Sequence, residues 1–410
     1  MPLYSDPDLD AIADNLVRFI DREVLPLEAE NSELLDEFGG MYDQDGRLTP
    51  GVLALKREVR MRSAAAGFYT LFGAEELGGA GFGARAFAFI QDTLHHRYGP
   101  SHPLIHTVVL PSPFTNGLSP VLRHLPRETF RQYGEDIASG RKTLCFALSE
   151  PDAGSDVFAM SARATREGDE WVLTGTKQWI TNSPYADLAM VFAVTDPELA
   201  NARRGGISGF LVDTAAPGFS ITGIIRVMGH KGGDTGIVSL DGVRVRDDHL
   251  LGPVDKGLSV ALGGVSAGRL GMSASALGMA RWALDKAIAY AGVRRTFGKP
   301  IGEHQAIQFM LADSAMDIYA AQAMINDCAA LIDAGTDAVA QTSIVKAFCT
   351  EMVGRVVDRA IQIHGGMGLA NETGLEAAYR VARIYRVPDG TGEIQRRTIA
   401  TQLLSGRAQL

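Results

Sequence analysis

The feature that most constrains this chain is a change of hydrophobic period in its middle. Between residues 143 and 251, short β-rich runs alternate with turn residues: TLCFALSE, EWVLTGTKQWI, LAMVFAV, GISGFLVD, FSITGIIRVMG and IVSLDGVRV. Runs of that length, rich in β-branched and aromatic residues, read as strands. On either side the period is helical. From Asp8 to about Arg141 apolar residues recur at three and four, with loops such as GGMYDQDGRLTPG and EELGGAGFGA between them; after Gly257 the helical period returns and persists. The order is helices, then a β region, then helices, an α+β arrangement. A chain of 410 residues has room for such a division into two or three domains.

Spacing adds local detail. TREGDEWVLTGTKQWIT reads as a hairpin, with Gly168-Asp169 at its tip and aromatic and β-branched residues in its second arm. In HQAIQFMLADSAMDIYAAQAM, the residues Ile307, Met310, Leu311, Ala315 and Ile318 share one helix face. Val345, Cys349, Met352, Val353, Val356, Ala360 and Ile363 do the same in the next segment. Both stripes are expected to be packed core of a helical bundle.

Composition removes several classes of function. The formal charge of -9 lacks the basic excess of a nucleic-acid surface, so no nucleic-acid partner is expected. The N-terminal stretch MPLYSDPDLDAIADNLVRFIDREV lacks the basic-then-apolar layout of a signal peptide. The most apolar region, around 257 to 280, carries Arg269, and no membrane span is expected. Three cysteines, Cys145, Cys328 and Cys349, are odd in number and far apart, which fits a reducing cytoplasmic setting without a disulfide framework. Neither CxxC nor HExxH occurs, so no metal site is expected.

Several short motifs have chemical content. GGAGFG at 78 to 83 and GGMG at 365 to 368 do not follow a strand or open a βαβ unit, so neither is a Rossmann fingerprint. FALSEPDAGSD at 146 to 156 leaves a strand and turns through Pro151 and Gly154, exposing backbone N–H groups and the hydroxyls of Ser149 and Ser155. Read alone it is either a strand-to-turn connection or a cradle for a polar ring or phosphate. In KQWITN at 177 to 182, Trp179 is either a core residue of the β region or an aromatic face beside the hydroxyl of Thr181. VRRTFGKPIGEHQ at 293 to 305 is either a solvated helix end or a phosphate and adenine clamp of Arg, Thr and Phe. In IYRVPDGTGEIQR, residues 384 to 396, Pro388-Asp389-Gly390 makes a turn and Thr391 caps a resumed helix. That places one carboxylate at a break between helices, where it is either a turn residue or a base. His95 and His96 have no partner pattern and read as structural; His364, beside Gly365, stands open between a ligand contact and a helix end.

In order and spacing, FALSEPDAGSD, KQWITN, RRTFGKP, IHGGMG and VPDGTGEIQR resemble the motifs of the acyl-CoA dehydrogenase family of flavoproteins. The resemblance covers essentially the whole chain. It implies an N-terminal α-helical domain over 1–142, a middle β-barrel domain over 143–252, and a C-terminal four-helix-bundle domain over 253–410. It implies an FAD between the β and C-terminal domains. Phe146, Leu148, Ser149, Gly154 and Ser155 would line the flavin, with Ser149 hydrogen-bonded to it and Ser155 also near the acyl-CoA. Trp179, Ile180 and Thr181 would cover the other edge, with Thr181 at N5. Arg294, Thr296 and Phe297 look like the clamp on the pyrophosphate and adenine of a neighbouring subunit's FAD, completed by Gln305, Gln362, Ile363, Gly365 and Gly366. Thr391 and Glu393 would touch FAD across the subunit boundary. Arg269 and Gly390 would contact the substrate. The implied assembly is a homotetramer, a dimer of dimers. The implied activity is α,β-dehydrogenation of an acyl-CoA in fatty acid metabolism, with electrons passing to an electron-transferring flavoprotein.

The implied chemistry needs a base for the α-proton. Most members of the family place Glu, preceded by Tyr, where this chain has Asp389 preceded by Pro388. Asp is one methylene shorter and withdraws the carboxylate by roughly 1.5 Å on a fixed backbone. A second family arrangement puts Glu one residue before the arginine matching Arg269, and here that residue is Gly268. Asp389 is therefore the expected base. Aspartate at this place also resembles the branches acting on cyclohexane-carboxyl thioesters, on 4-hydroxyacyl-CoAs, and nitroalkane oxidase. In the last an Arg follows seven residues later, as Arg396 does here, although a similar arginine is common across the family. A nitroalkane-oxidase-like oxidase and a non-catalytic acyl-CoA-binding protein are the alternatives.

Overall fold

The computed structural model describes residues 6–228 and 234–408. The first five residues of the N-terminal stretch and Gly229, which ends FSITGIIRVMG, lie outside the described residues. The helices are α1 Pro7–Phe19, α2 Leu25–Glu30, α3 Pro50–Ala65, α4 Ala84–Tyr98, α5 Arg127–Ala138 and α6 Pro197–Asn201, then α7 Gly257–Val293, α8 Gln305–Asp333, α9 Val339–His364, α10 Leu375–Ile384 and α11 Gly392–Leu404. The strands are β1 Leu144–Ala147, β2 Arg163–Glu167, β3 Glu170–Thr181, β4 Leu188–Val194, β5 Ile207–Asp213, β6 Phe219–Ile224 and β7 Thr235–Arg246, with a short pair β8 Arg295–Thr296 and β9 Lys299–Pro300 inside the C-terminal helical segment. Helices, a sheet and helices follow in the expected order. None of the described helices is long and apolar enough to cross a membrane.

By contact the chain divides into two compact units. One holds residues 23–82 and 107–265 and contains the large sheet; the other holds 1–22, 83–106 and 266–410. This partition groups residues by packing, whereas the three-segment division above groups them by element type.

In the sheet unit, strand order is β1-β4-β2-β3-β7-β6, with β5 on β4. The hairpin predicted around Gly168-Asp169 is present: Glu167 pairs with Glu170, and Gly168 at the tip has φ 68°. Strand β4, LAMVFAV, is buried on both faces, as a nearly continuous apolar run requires. Its larger residues Leu188, Met190, Phe192 and Val194 pack with Leu122, Ile137 and Leu211. The alternate Ala189, Val191 and Ala193 share a cluster with Cys145, Trp171, Phe210 and Val238. That second cluster draws on β1 to β5 and β7, so the sheet curls over its own inner face.

In the helical unit, α9 carries the core. Val345, Cys349, Met352, Val353, Val356, Ala360 and Ile363 are all buried, as their spacing predicts. The α8 stripe differs from expectation. Ile318 is buried, but Ile307, Met310 and Leu311 are only partly so and Ala315 is exposed. The buried face of α8 instead runs Ser314, Ile318, Ala321, Ile325, Cys328 and Ala329. The period is helical in both readings, but packing begins one turn later and rotated. The first half of α8 leaves Phe309, Met316 and Tyr319 exposed, at 59%, 63% and 78%. The three cysteines are free and buried.

Candidate active site

The turn VPDGTG forms as its composition requires. Asp389 and Gly390 both have left-handed backbones, with φ 57° and 89°, and Thr391 caps α11 by accepting from the Ile394 N–H at 3.4 Å. A non-glycine residue in that region is uncommon; Asp is one of the few that tolerate it. The turn is held through its carbonyls. Arg269 Nε of α7 donates to the Asp389 carbonyl at 2.9 Å, and Lys346 Nζ of α9 donates to the Gly390 carbonyl at 2.7 Å. Gln395 Nε2 of α11 donates to both, at 3.0 and 2.9 Å. Lys346 and Gln395 are wholly buried. A Cβ on Gly390 would stand 2.8 Å from Gln395 Nε2 and 3.4 Å from Arg269 Nη2, so both the positive φ and the close approach require glycine there.

No hydrogen bond reaches the Asp389 carboxylate among the described residues. Burial pushes it up to about 6, against the opposing charges of Lys346 and Arg269. Burial likewise pulls Lys346 down to about 8, opposed by Asp389, and moves Arg269 below its usual range. The result is a carboxylate held above its usual range, with two cations nearby that do not bind it directly.

In the sheet unit, β3 carries a bulge between Lys177 and Ile180 where it pairs with β7. Trp179 within it has φ 65° and is 54% exposed. An extra residue in one strand breaks the alternation and re-aims a side chain. Here it turns an indole outward while Ile180, at 1% exposure, returns to the core. Thr181, Gly154 and Ser155 are exposed. Gln178 N–H donates to the Ser149 carbonyl at 2.9 Å, so the end of β1 and the bulge lie side by side. Phe146 and Leu148 are committed to the core, Phe146 between Phe114 and Phe192 at 5.1 and 5.0 Å. Side chains at 146, 148 and 180 therefore support the sheet.

Behind this surface lies an ion pair that sequence reasoning missed. Lys177 Nζ donates to Glu150 Oε1 at 2.7 Å and to the Leu148 carbonyl at 3.2 Å; the two side chains are 0% and 2% exposed. Glu150 also accepts from Ser161 N–H and Oγ–H at 2.6 and 2.7 Å and from Ala162 N–H at 3.0 Å. Burial raises Glu150, but Lys177 and these donors outweigh it and hold the carboxyl below the usual range. Two signals were available in the sequence. Lys177 continues the inward alternation Trp171, Leu173, Gly175, and Lys346 falls three residues before Cys349 on the buried stripe of α9. A charge at a core position must be paired, which marks both lysines.

The remaining expected positions lie in the helical unit. Arg295-Thr296 and Lys299-Pro300 pair as a hairpin, with Phe297 and Gly298 at its tip at φ 49° and 83°. Phe297 is 96% exposed, and Arg294, Gln305, Gln362, Gly365, Gly366 and Glu393 are also exposed. Ile363 is core. His364 is buried, stacks on Tyr290 at 4.4 Å and bonds the Ala360 carbonyl through Nδ1 at 2.7 Å, which makes it a packing residue. His95 stacks on His106 at 4.0 Å, and His96 pairs with Asp285 at 2.7 Å.

Comparison with known proteins decides the family. The sequence matches the family models for the acyl-CoA dehydrogenase middle domain over residues 145–243 and the acyl-CoA dehydrogenase C-terminal domain over 255–404. The chain belongs to the acyl-CoA dehydrogenase family. It is an oxidoreductase fold of that family, with helical N- and C-terminal segments and a curled sheet between them in sequence. It is 35% identical over 348 residues to the caffeyl-CoA reductase–Etf complex subunit CarC of Acetobacterium woodii, covering 85% of this chain and 90% of that protein. It is 39% identical over 332 residues to the human mitochondrial short-chain specific acyl-CoA dehydrogenase, covering 80% and 78%. A glutaryl-CoA dehydrogenase from Mycobacterium smegmatis, solved in complex with FADH2, superposes with a TM-score of 0.80 at 26% identity, covering 99% of this chain and 96% of that one. Against that membership the exposed groups form a sensible set. An outward indole beside exposed hydroxyls suits a planar, hydrogen-bonding ring, and an exposed Phe near Arg294 in sequence suits an adenine and its phosphates.

Proposed function

We propose that this acyl-CoA dehydrogenase family member removes hydrogen from Cα and Cβ of an acyl-CoA thioester, with Asp389 as the base. The observation that carries this reading is the Asp389 turn: its carbonyls are tied by Arg269, Lys346 and Gln395 while its carboxylate stays free of donors. FAD, when bound, supplies the hydride acceptor. The chain's own residues do the rest. Asp389 takes the α-proton, and its backbone N–H is the group suited to polarising the thioester carbonyl. Arg269 and Gly390 face the substrate; Ser149, Gly154, Ser155, Trp179 and Thr181 hold the flavin ring, with Phe146, Leu148 and Ile180 contributing backbone. Arg294, Thr296, Phe297, Gln305, Gln362, Ile363, Gly365, Gly366, Thr391 and Glu393 serve the adenine and phosphate end, across a subunit boundary in a homotetramer. The exposed Phe309, Met316, Tyr319 and Phe297 support an assembly that covers them. An electron-transferring flavoprotein is the proposed acceptor, by analogy with the Etf complex of the Acetobacterium relative.

That relative's name describes a reductase, so the same residues can work in the opposite direction on a 2-enoyl thioester. Anaerobic titration of the FAD-loaded protein distinguishes the cases. A panel of butyryl-, branched, cyclic, hydroxylated and 3-arylpropionyl-CoA should include at least one thioester that bleaches the flavin, and D389N should keep its FAD but lose the bleaching. Silence across the panel, in both directions, would refute the proposal; oxygen uptake with nitroethane would replace it with an oxidase.

A further inference from the structure

The turn that presents Asp389 is held in an unusual way. Two buried or half-buried cations, Arg269 and Lys346, donate to neutral backbone carbonyls beside a carboxylate, and not to the carboxylate. A buried ammonium costs several kcal/mol unless an anion compensates it, so a direct ion pair with Asp389 is the obvious alternative. Such a pair would occupy the lone pairs that must accept the substrate's proton and would make the carboxylate a weak base. Donation to the carbonyls avoids both consequences, because the charges stay close enough to compensate Asp389 without closing on it.

The backbone makes this arrangement matter. A left-handed backbone is strained at a non-glycine position and persists only where surrounding contacts over-determine it. At 389 and 390 those contacts are the bonds from Arg269, Gln395 and Lys346. An Asp side chain has only χ1 and χ2, so once φ and ψ are fixed the carboxylate has few places to be. Displacing the turn by an ångström displaces the base by the same amount, and misplacement on that scale costs about 100-fold in rate. Of the three donors Lys346 is the one wholly buried cation, and among the described residues Gly390 supplies the one acceptor for its Nζ.

We infer that Lys346 is a positioning residue for the reaction: through the Gly390 carbonyl it fixes the left-handed turn that aims Asp389, while leaving that carboxylate free to accept a proton. The inference rests on Asp389 being the base. The charged groups around the pair are Arg269 from α7, Lys346 and Glu351 from α9, and Glu393 from α11. Removing Lys346 takes one of the two cations from Asp389 and leaves Arg269.

The test uses the FAD-loaded protein and the acyl-CoA of the panel that bleaches the wild type, followed anaerobically by stopped flow from pH 5 to 9. K346M is expected to bind FAD with an unchanged visible spectrum and to hold KM within about twofold, while the flavin-reduction rate falls about 10- to 100-fold. The acid limb of its pH profile should move upward. K346Q, which keeps a donor without the charge, should recover part of the rate and still show the displaced limb. A K346M protein with the wild-type rate and limb would overturn the inference, as would a rate that falls only in proportion to lost FAD. If K346M does not fold, K346Q decides alone: an undisplaced limb refutes the inference. D389N separates the two readings, since bleaching that survives in D389N removes Asp389 as base, whereas a silent D389N beside an unchanged K346M removes only the role of Lys346.

Discussion

Replacing Lys177 by Met tests whether the buried ion pair organises the sheet end of the site. Met has nearly the same length and no charge, so packing is conserved while both donations from Nζ are lost, that to Glu150 Oε1 at 2.7 Å and that to the Leu148 carbonyl at 3.2 Å. Glu150 would keep its Ser161 and Ala162 donors but have no cation, at 2% exposure. Leaving one member of a buried pair unpaired costs about 3–5 kcal/mol. The converse change is milder. In E150Q the orphaned amine can lose its proton, and burial has already brought it down to about 8. Without Glu150 the carboxylate that opposes burial is gone, so the amine moves further down and gives up its proton more readily, and the loss is smaller than in K177M. The double variant K177M/E150Q carries no buried charge and should be more stable than K177M by about 2 kcal/mol or more. Urea unfolding of the FAD-free protein at pH 7 and fixed protein concentration orders the variants as E150Q, then the double variant close to it, then K177M as least stable. The reasoning fails if K177M lies within about 1 kcal/mol of wild type, or if the double variant loses the sum of the two single losses. Because Lys177 also holds the Leu148 carbonyl, K177M should weaken FAD retention, measured by flavin released on dilution.

Other outcomes follow from the same geometry. With Asp389 raised from 3.8 to about 6, flavin reduction should increase with pH through about 6 and then level off, since the ionised form is the base. The native state then holds more protons than the unfolded state between those values. Asp389 therefore contributes stability at low pH that is lost as pH rises through about 6, so D389N should raise the thermal midpoint at pH 7.5 more than at pH 5. G390A meets both a φ of 89° and a contact at 2.8 Å to Gln395 Nε2; it should cost about 1–3 kcal/mol and lower the flavin-reduction rate more than FAD affinity. Asp333, at the end of α8, caps α4 by accepting from Ala84 and Arg85 N–H at 2.6 and 3.0 Å. D333A should lower stability by about 1 kcal/mol with no change in the flavin spectrum, which calorimetry and absorbance check together.

Much of the local structure was legible because it follows from residue spacing and turn chemistry. The hairpin at Gly168-Asp169, the strand LAMVFAV, the α9 stripe and the Thr391 cap all occur where the pattern puts them. Where spacing misled, the reason is definite. In α8 the apolar residues from Ile307 to Ala315 have helical period, but period identifies a face and not what covers it, and that face is only partly covered in the single chain. The family resemblance, not spacing, put Ile180 and Ile363 among the expected ligand contacts; bulge and helix geometry place both side chains in the core.

The sequence by itself determined the succession of element types, the family, and the presence of a lone carboxylate in a turn between two helices. Those depend on neighbours within a few residues, where steric and hydrogen-bonding rules act directly. Only the tertiary structure decided what that carboxylate can do. Arg269 and Lys346 lie 120 and 44 positions from the residues whose carbonyls they hold, and Lys177 lies 27 from Glu150. Chain folding alone sets which distant charges meet, how dry they become, and whether they bind a carboxylate or stop at the carbonyl beside it.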